Sequence, residues 1–216
     1  MSALCRYQLA GFLRSQRWVP PLLVYVLLLA LVYADASGPA VPSYGVTAVA
    51  LFPVAAWVTR TLLSTEDPIA RQITAAAARG QLRVQAALLT SAVIAALPLV
   101  VLAVSWAALV NPTAVYGWRT WVGGLGIHLV FALAGTGLGA LAGPPMLHRP
   151  GAAVLGIAMV TLLSIIIPAS PVAWALRVLE HNPRHGFPAA ITPSIAFLLG
   201  ITAFAILASL ATARRS

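Results

Sequence analysis

His181 and His185 stand four residues apart, and Glu180 precedes the pair. On one helix that spacing would set both rings on a common face and offer two ligands to a zinc ion. Asn182-Pro183 lies between them. Proline disfavours a continuous helix there, so a solvated loop is the competing reading. His128 is the second candidate, an ionisable residue deep in an apolar stretch. Inside a membrane such a residue is a functional hypothesis by default. Gly124, Ala132, Gly135 and Gly139 share its helical face, with Gly143 close by. Gly135, Gly139 and Gly143 form a G-x-x-x-G series, which lets helices approach closely. His128 is thus read either as a neutral ring hydrogen-bonded across a packed seam or as a contact with cargo in a translocation path.

Other chemistry is excluded by residue type. All thirteen cations are arginine. Without lysine the chain can build neither a phosphate-binding P-loop nor a Schiff base. Cys5 is single, so no internal disulfide and no cysteine-rich metal site can form. No serine sits in a G-x-S-x-G elbow. The four acids are Asp35, Glu66, Asp67 and Glu180, all outside the long apolar stretches. Ion-coupled transport then lacks its usual intramembrane carboxylate. The arginines are scattered rather than run together, which argues against nucleic acid despite a net charge of +9.

The elements that carry these residues are membrane helices. Hydrophobic residues make up 61% of the chain and charged residues 8%, against roughly 25% charged in a soluble domain. Six stretches are apolar enough to be read as spans: Trp18–Ala34, Tyr44–Leu63, Val84–Val110, Trp121–Ala142, Ala152–Pro168 and Ala189–Ala211. The first and fifth are short, and the third is long enough to tilt. Arginines choose the orientation. With both termini inside, ten fall on the cytoplasmic side and Arg119, Arg177 and Arg184 outside. Tyr33, Tyr44, Trp106, Trp118 and Trp121 then lie near the outer boundary, where amphipathic rings favour the headgroup level. Arg60, near the inner end of the second span, is expected to snorkel. Pro53 and Pro98 lie mid-span and are expected to kink their helices.

Three segments lie outside the spans. Residues 1–17 mix Leu4, Leu9, Phe12 and Leu13 with Arg6, Arg14 and Arg17, and Pro20-Pro21 follows. This predicts an interfacial helix, a break, and then a single six-span domain over 18–216. Between the second and third spans, Ser64-Thr65-Glu66-Asp67-Pro68 is a helix start. Ser64 or Asp67 can cap, Pro68 fits the first turn, and the acids complement the helix dipole. Ile69, Ile73 and Ala77 then recur on one face, with Arg71, Gln72 and Arg79 as polar residues and Gly80 as a stop. This helix either serves only its own capping or offers a docking surface to a soluble partner. On the outer side, Ser170-Pro171 starts a helix whose Val172, Leu176 and Leu179 line one face. It is too short to cross, so it is expected to be re-entrant or to lie in the interface.

In the order of these features the chain resembles the membrane subunit of a type-2 ABC exporter, a bacterial permease family. The stretch Ser64-Thr65-Glu66-Asp67-Pro68-Ile69-Ala70-Arg71-Gln72 is similar to short actinobacterial permeases of that family. The resemblance implies a multi-pass protein of the bacterial plasma membrane that pairs with a second permease subunit, of its own or a sister kind. It implies a separate P-loop ATPase that binds ATP and magnesium. The helix over 66–79 would be the coupling helix, with Glu66, Asp67, Arg71 and Gln72 facing the ATPase. No residue of this chain would be catalytic, and no cofactor would reside in it. Two rivals stand beside this reading: a non-transporting scaffold or regulatory subunit, and an intramembrane metal-dependent enzyme using His128, His181 or His185.

The wiring has a direct test. In a Cys5→Ser background, cysteines at Thr74 and Ser216 are expected on the same side of the membrane. Both should resist an impermeant thiol reagent in intact cells; labelling of one alone breaks this topology.

Overall fold

The computed structural model describes residues 1–34, 40–110, 118–143 and 149–181, with isolated helical positions at 200, 203, 207 and 208. All regular structure among them is helical, in the order α1 (Ser2–Arg14), α2 (Val19–Val32), α3 (Ala40–Leu63), α4 (Pro68–Ala77), α5 (Gln81–Val110), α6 (Trp118–Leu141), α7 (Pro150–Ile166) and α8 (Pro171–His181). Three of them, α3, α5 and α6, are long and apolar enough to cross a membrane; counting each bent pair as one span raises the number to five. The expected sixth span over 189–211 falls outside the described residues apart from those isolated positions, as do Arg184, His185, Arg214 and Arg215. The described residues are thus all-helical, with helices apolar enough to span a membrane; α2, α3, α5, α6 and α7 overlie stretches expected as spans, and α2 and α7 are long enough only together with the bent helix beside them.

Local chemistry explains the breaks. α1 ends where Gln16 takes a left-handed φ of 54°, and Pro20 and Pro21 occupy the first turn of α2. The two helices meet at 75°. In α2, Pro21, Tyr25 and Leu29 face the core at four-residue spacing, while Leu23, Leu27 and Leu31 face out. α5 has 30 residues, about 45 Å of helix, which exceeds the roughly 30 Å hydrocarbon core. Pro53 and Pro98 lie inside α3 and α5, and neither ends its helix.

The core is built on α3 and α6, which run parallel. Gly124 meets the ring of Tyr44, Gly135 meets Phe52 and Ala55, Gly139 meets Ala56 and Thr59, and Gly143 meets Leu63. A Cβ at Gly135 would collide with the Phe52 carbonyl oxygen and stand 2.8 Å from Ala55 Cβ. One at Gly139 would collide with the Ala56 carbonyl oxygen and stand 2.7 Å from Thr59 Cβ. Only a missing side chain permits this approach. The glycine face is packed against α3, the second expected span. Antiparallel α5 closes the group: the Tyr44 hydroxyl donates to Val104 O at 3.3 Å.

This register separates two ends of the molecule. Gly45 and Leu63 on α3 lie about 27 Å apart at helical pitch. Leu179 and Leu176 of α8 pack on Gly45 at one end. α1 and α4 gather at the other, where Tyr7 reaches Glu66. Tyr44 is fully buried, in a recess that Gly124 leaves for its ring. Trp118, by contrast, is exposed and carries Arg119 over its ring at 5.6 Å.

Gly139→Ala is expected to destabilise the folded chain in detergent by about 1–3 kcal/mol through overpacking. Gly156, in α7, has open space around its Cβ position. Gly156→Ala should be neutral or gain about 0.5–1 kcal/mol of helix stability. Equal unfolding midpoints for the two variants would show that the seam is not close.

Candidate functional site

The end of the molecule that holds α1 and α4 is built around the last carbonyls of α3. A helix terminus leaves four carbonyls without intrahelical partners. Here each finds one. Ser64 N–H donates to Arg60 O at 3.1 Å and Thr65 N–H to Leu62 O at 3.2 Å, while the Ser64 hydroxyl serves Arg60 O and Thr61 O. The next two take arginines: Arg71 Nη2 donates to Leu63 O, and Arg17 Nη1 donates to Ser64 O at 3.1 Å. A third arginine does the same for the neighbouring helix, since Arg60 Nε donates to Ala142 O at 3.2 Å, just past the end of α6. Cations at carbonyl ends complement the helix dipoles. Arg60 thus closes a helix end rather than lacking an acceptor.

α4 is anchored to this end from inside. Asp67 caps it, with Ile69 N–H donating to Oδ1 at 2.8 Å. Glu66 turns back on the helix: Oε1 accepts from Thr74 Oγ1 at 2.6 Å and from Tyr7 of α1 at 3.4 Å. Burial pushes the Arg71 guanidinium below its ordinary range, and the nearby Glu66 charge opposes that shift. Arginine remains protonated through it. Glu66 Oε2 and Arg71 Nε are buried without a hydrogen-bond partner among the described residues. Ala75 packs into the core. The helix ends in a Schellman arrangement: Gly80 N–H donates to Ala75 O and Arg79 N–H to Ala76 O. Arg79, not the expected Gly80, takes the left-handed position, at φ 58°.

The outer face of α4 is apolar. Ile69 is 70% exposed and Ile73 67%, with Gln72, Ala76 and Ala77 beside them. Of the four residues expected to face an ATPase, Gln72 and Asp67 are exposed, while Glu66 and Arg71 are turned inward. A cleft of about 620 Å³ lies between the start of α1 and the end of α4, bordered by Met1, Leu4, Arg79 and Arg83. Such an arrangement can receive an apolar protein surface with an acidic fringe. α1 is itself held in place: Gln8 Nε2 donates to Val84 O, Ser91 Oγ donates to Gln8 Oε1, and Cys5 Sγ contacts Ala87 O.

The other candidates fall elsewhere. His128 is wholly buried, with Nδ1 2.7 Å from Gly124 O and Nε2 3.0 Å from Thr47 Oγ1. Its ring also meets Tyr44 edge-on, with centroids 5.7 Å apart. These are the bonds of a packed seam. His181 is exposed, its Nδ1 2.8 Å from Arg177 O, and His185 lies outside the described residues. Among the described residues no three His, Cys, Asp or Glu side chains gather as a metal site would require. The capping of α8 is as expected, with Ala173 N–H donating to Ser170 Oγ at 3.0 Å.

Sequence reasoning missed Tyr7, Arg17 and Thr74. Their partners lie on other elements or on the far side of a cap, and no spacing rule connects Tyr7 to Glu66 across 59 positions. It also missed α3 as the partner of the glycine face. Ala55 and Thr59, four apart on one ridge, were the available signal.

Among the described residues the geometry is all-helical, with three helices able to cross a membrane, or up to five spans if each bent pair is one, and a polar, folded cap at one end. Compared with protein-family models, curated proteins and solved structures, the chain matches none.

Thr74→Val should release Glu66 from α4 while keeping the side-chain shape. Backbone hydrogen exchange in 68–77 is expected to rise several-fold, matching the loss of a charge-assisted bond of about 1.5 kcal/mol or more. Unchanged exchange would mean that Asp67 and Arg71 hold the helix without Glu66.

Proposed function

We propose that this chain is the permease subunit of an ATP-driven type-2 ABC exporter in a bacterial plasma membrane. The observation that carries the reading is the two-faced α4. Arg71 and Thr74 are spent on internal anchoring, yet Ile69 and Ile73 are left outside. A helix held this firmly can transmit a push. An isoleucine face at a membrane protein's polar end gains by docking into an apolar groove on a soluble partner. α1, at 75° to α2 and bonded to Glu66, would move with it. In this reading α4 is the coupling helix, and Ile69, Gln72 and Ile73 make the contact. Glu66, Asp67 and Arg71 fix its shape. The partner is a separate P-loop ATPase that binds ATP and magnesium. Two permease subunits pair to form the path, and α8 lies at the far end, where an exit would be. His128 serves the seam that holds the path-forming helices in register.

Purification in mild detergent is expected to bring down a soluble P-loop ATPase. Ile73→Glu should reduce that association at least tenfold while leaving the chain folded in the membrane, because the exposed position tolerates charge but the docked one does not. Full retention of the ATPase by Ile73→Glu would overturn the docking role of α4. Recovery of no such ATPase would overturn the exporter reading.

A further inference from the structure

The elbow between α1 and α2 encloses a second feature that transport does not use. Phe12, Trp18, Leu22, Val58, Ile94 and Pro98 line a pocket of about 340 Å³ formed by α1, α2, α3 and α5. That lies within the roughly 300–1,000 Å³ of small-ligand sites. Its named walls are apolar side chains, and the Trp18 indole N–H is satisfied by Leu13 O at 3.1 Å. No polar side chain lines it to orient a polar ligand. Its depth is set by the 75° bend between a lead helix and a span. An amphipathic lead of this kind lies at the boundary of headgroups and acyl chains. Leu13 and Trp18, which line the pocket, are flanked in sequence by Arg14 and Arg17, both exposed. Arg17 already serves Ser64 O, whereas Arg14 makes no hydrogen bond or ion pair among the described residues. An apolar slot with an unpaired, exposed arginine next in sequence to its rim residue Leu13 has the chemistry of a lipid with a long chain and a phosphate.

We propose that this elbow pocket holds one acyl chain of an anionic phospholipid, whose phosphate is met by Arg14. The occupied pocket fills the space between the lead helix and the spans. It therefore ties the position of α1 to the lipid around it. The inference needs only that the chain spans a membrane with α1 at its surface, and it stands apart from the exporter reading.

Native mass spectrometry of the full chain, titrated with phosphatidylglycerol, phosphatidylcholine or free fatty acid of matched chain length, tests it. One saturable phosphatidylglycerol adduct is expected, about fivefold tighter than phosphatidylcholine, as one arginine at a lipid phosphate gives. Ile94→Trp and Leu13→Trp alter exposed rim positions and should fill the slot, lowering that adduct at least tenfold. Arg14→Ala should bring phosphatidylglycerol down to the phosphatidylcholine level while chain binding persists. A phosphatidylglycerol carrying a mid-chain diazirine should label peptides of α2, α3 and α5 around Leu22, Val58 and Ile94. That reading holds even if a tryptophan variant fails to fold. Equal binding of the two phospholipids, fatty acid binding as tightly as phosphatidylglycerol, or labelling confined to other helices would each overturn the proposal.

Discussion

Everything else in this molecule is arranged around the close approach of α3 and α6 at Gly135 and Gly139. In lipid the hydrophobic effect does not drive helices together, since acyl tails are as apolar as leucine. What remains is packing and a few hydrogen bonds. The glycines let main chain meet main chain over several turns, and Ala55, Ala56 and Thr59 keep the opposing ridge low. Because the two helices are parallel, their beginnings and ends coincide. This brings Tyr44 beside Gly124 at one end and Leu63 beside Gly143 at the other. His128 and Thr47 meet only because of that register, and their bond in turn would be lost by sliding one helix a single turn.

The same register explains the arginines. A parallel pair ends with its carbonyls on one side, and the negative ends of two helix dipoles then lie together. Arg17, Arg60 and Arg71 all donate to carbonyls at those ends. Arginine suits this work, since its planar fork stays charged and reaches several acceptors. These three arginines therefore close the helices at whose ends they lie. Lysine would supply the charge but not the geometry.

α4 inherits its two faces from this arrangement. Glu66 and Arg71 look inward because the carbonyls, Thr74 and Tyr7 are there to receive them, while Asp67 caps the helix from its exposed start. Its isoleucines look outward because the core contact at that helix is made by Ala75. A helix with a polar inner anchor and an apolar outer face reverses the usual amphipathic order. That reversal is what makes a docking role the best account of the cap.

Composition alone determined that the chain belongs in a membrane, since so few charges cannot cover a soluble surface. Periodicity and punctuation placed α2 to α8 within a few residues, because proline, serine and aspartate act on the turn in which they sit. The glycine face could be seen as a face for the same local reason. Which helix would fill it could not, because the partner is selected by complementary shape over the whole contact. The roles of Glu66, Arg71, Arg17 and Tyr7 were decided only by the tertiary structure. A charged side chain near a helix start reads alike whether it points to a partner protein or to a carbonyl, and only the neighbouring elements supply the acceptor that settles its direction.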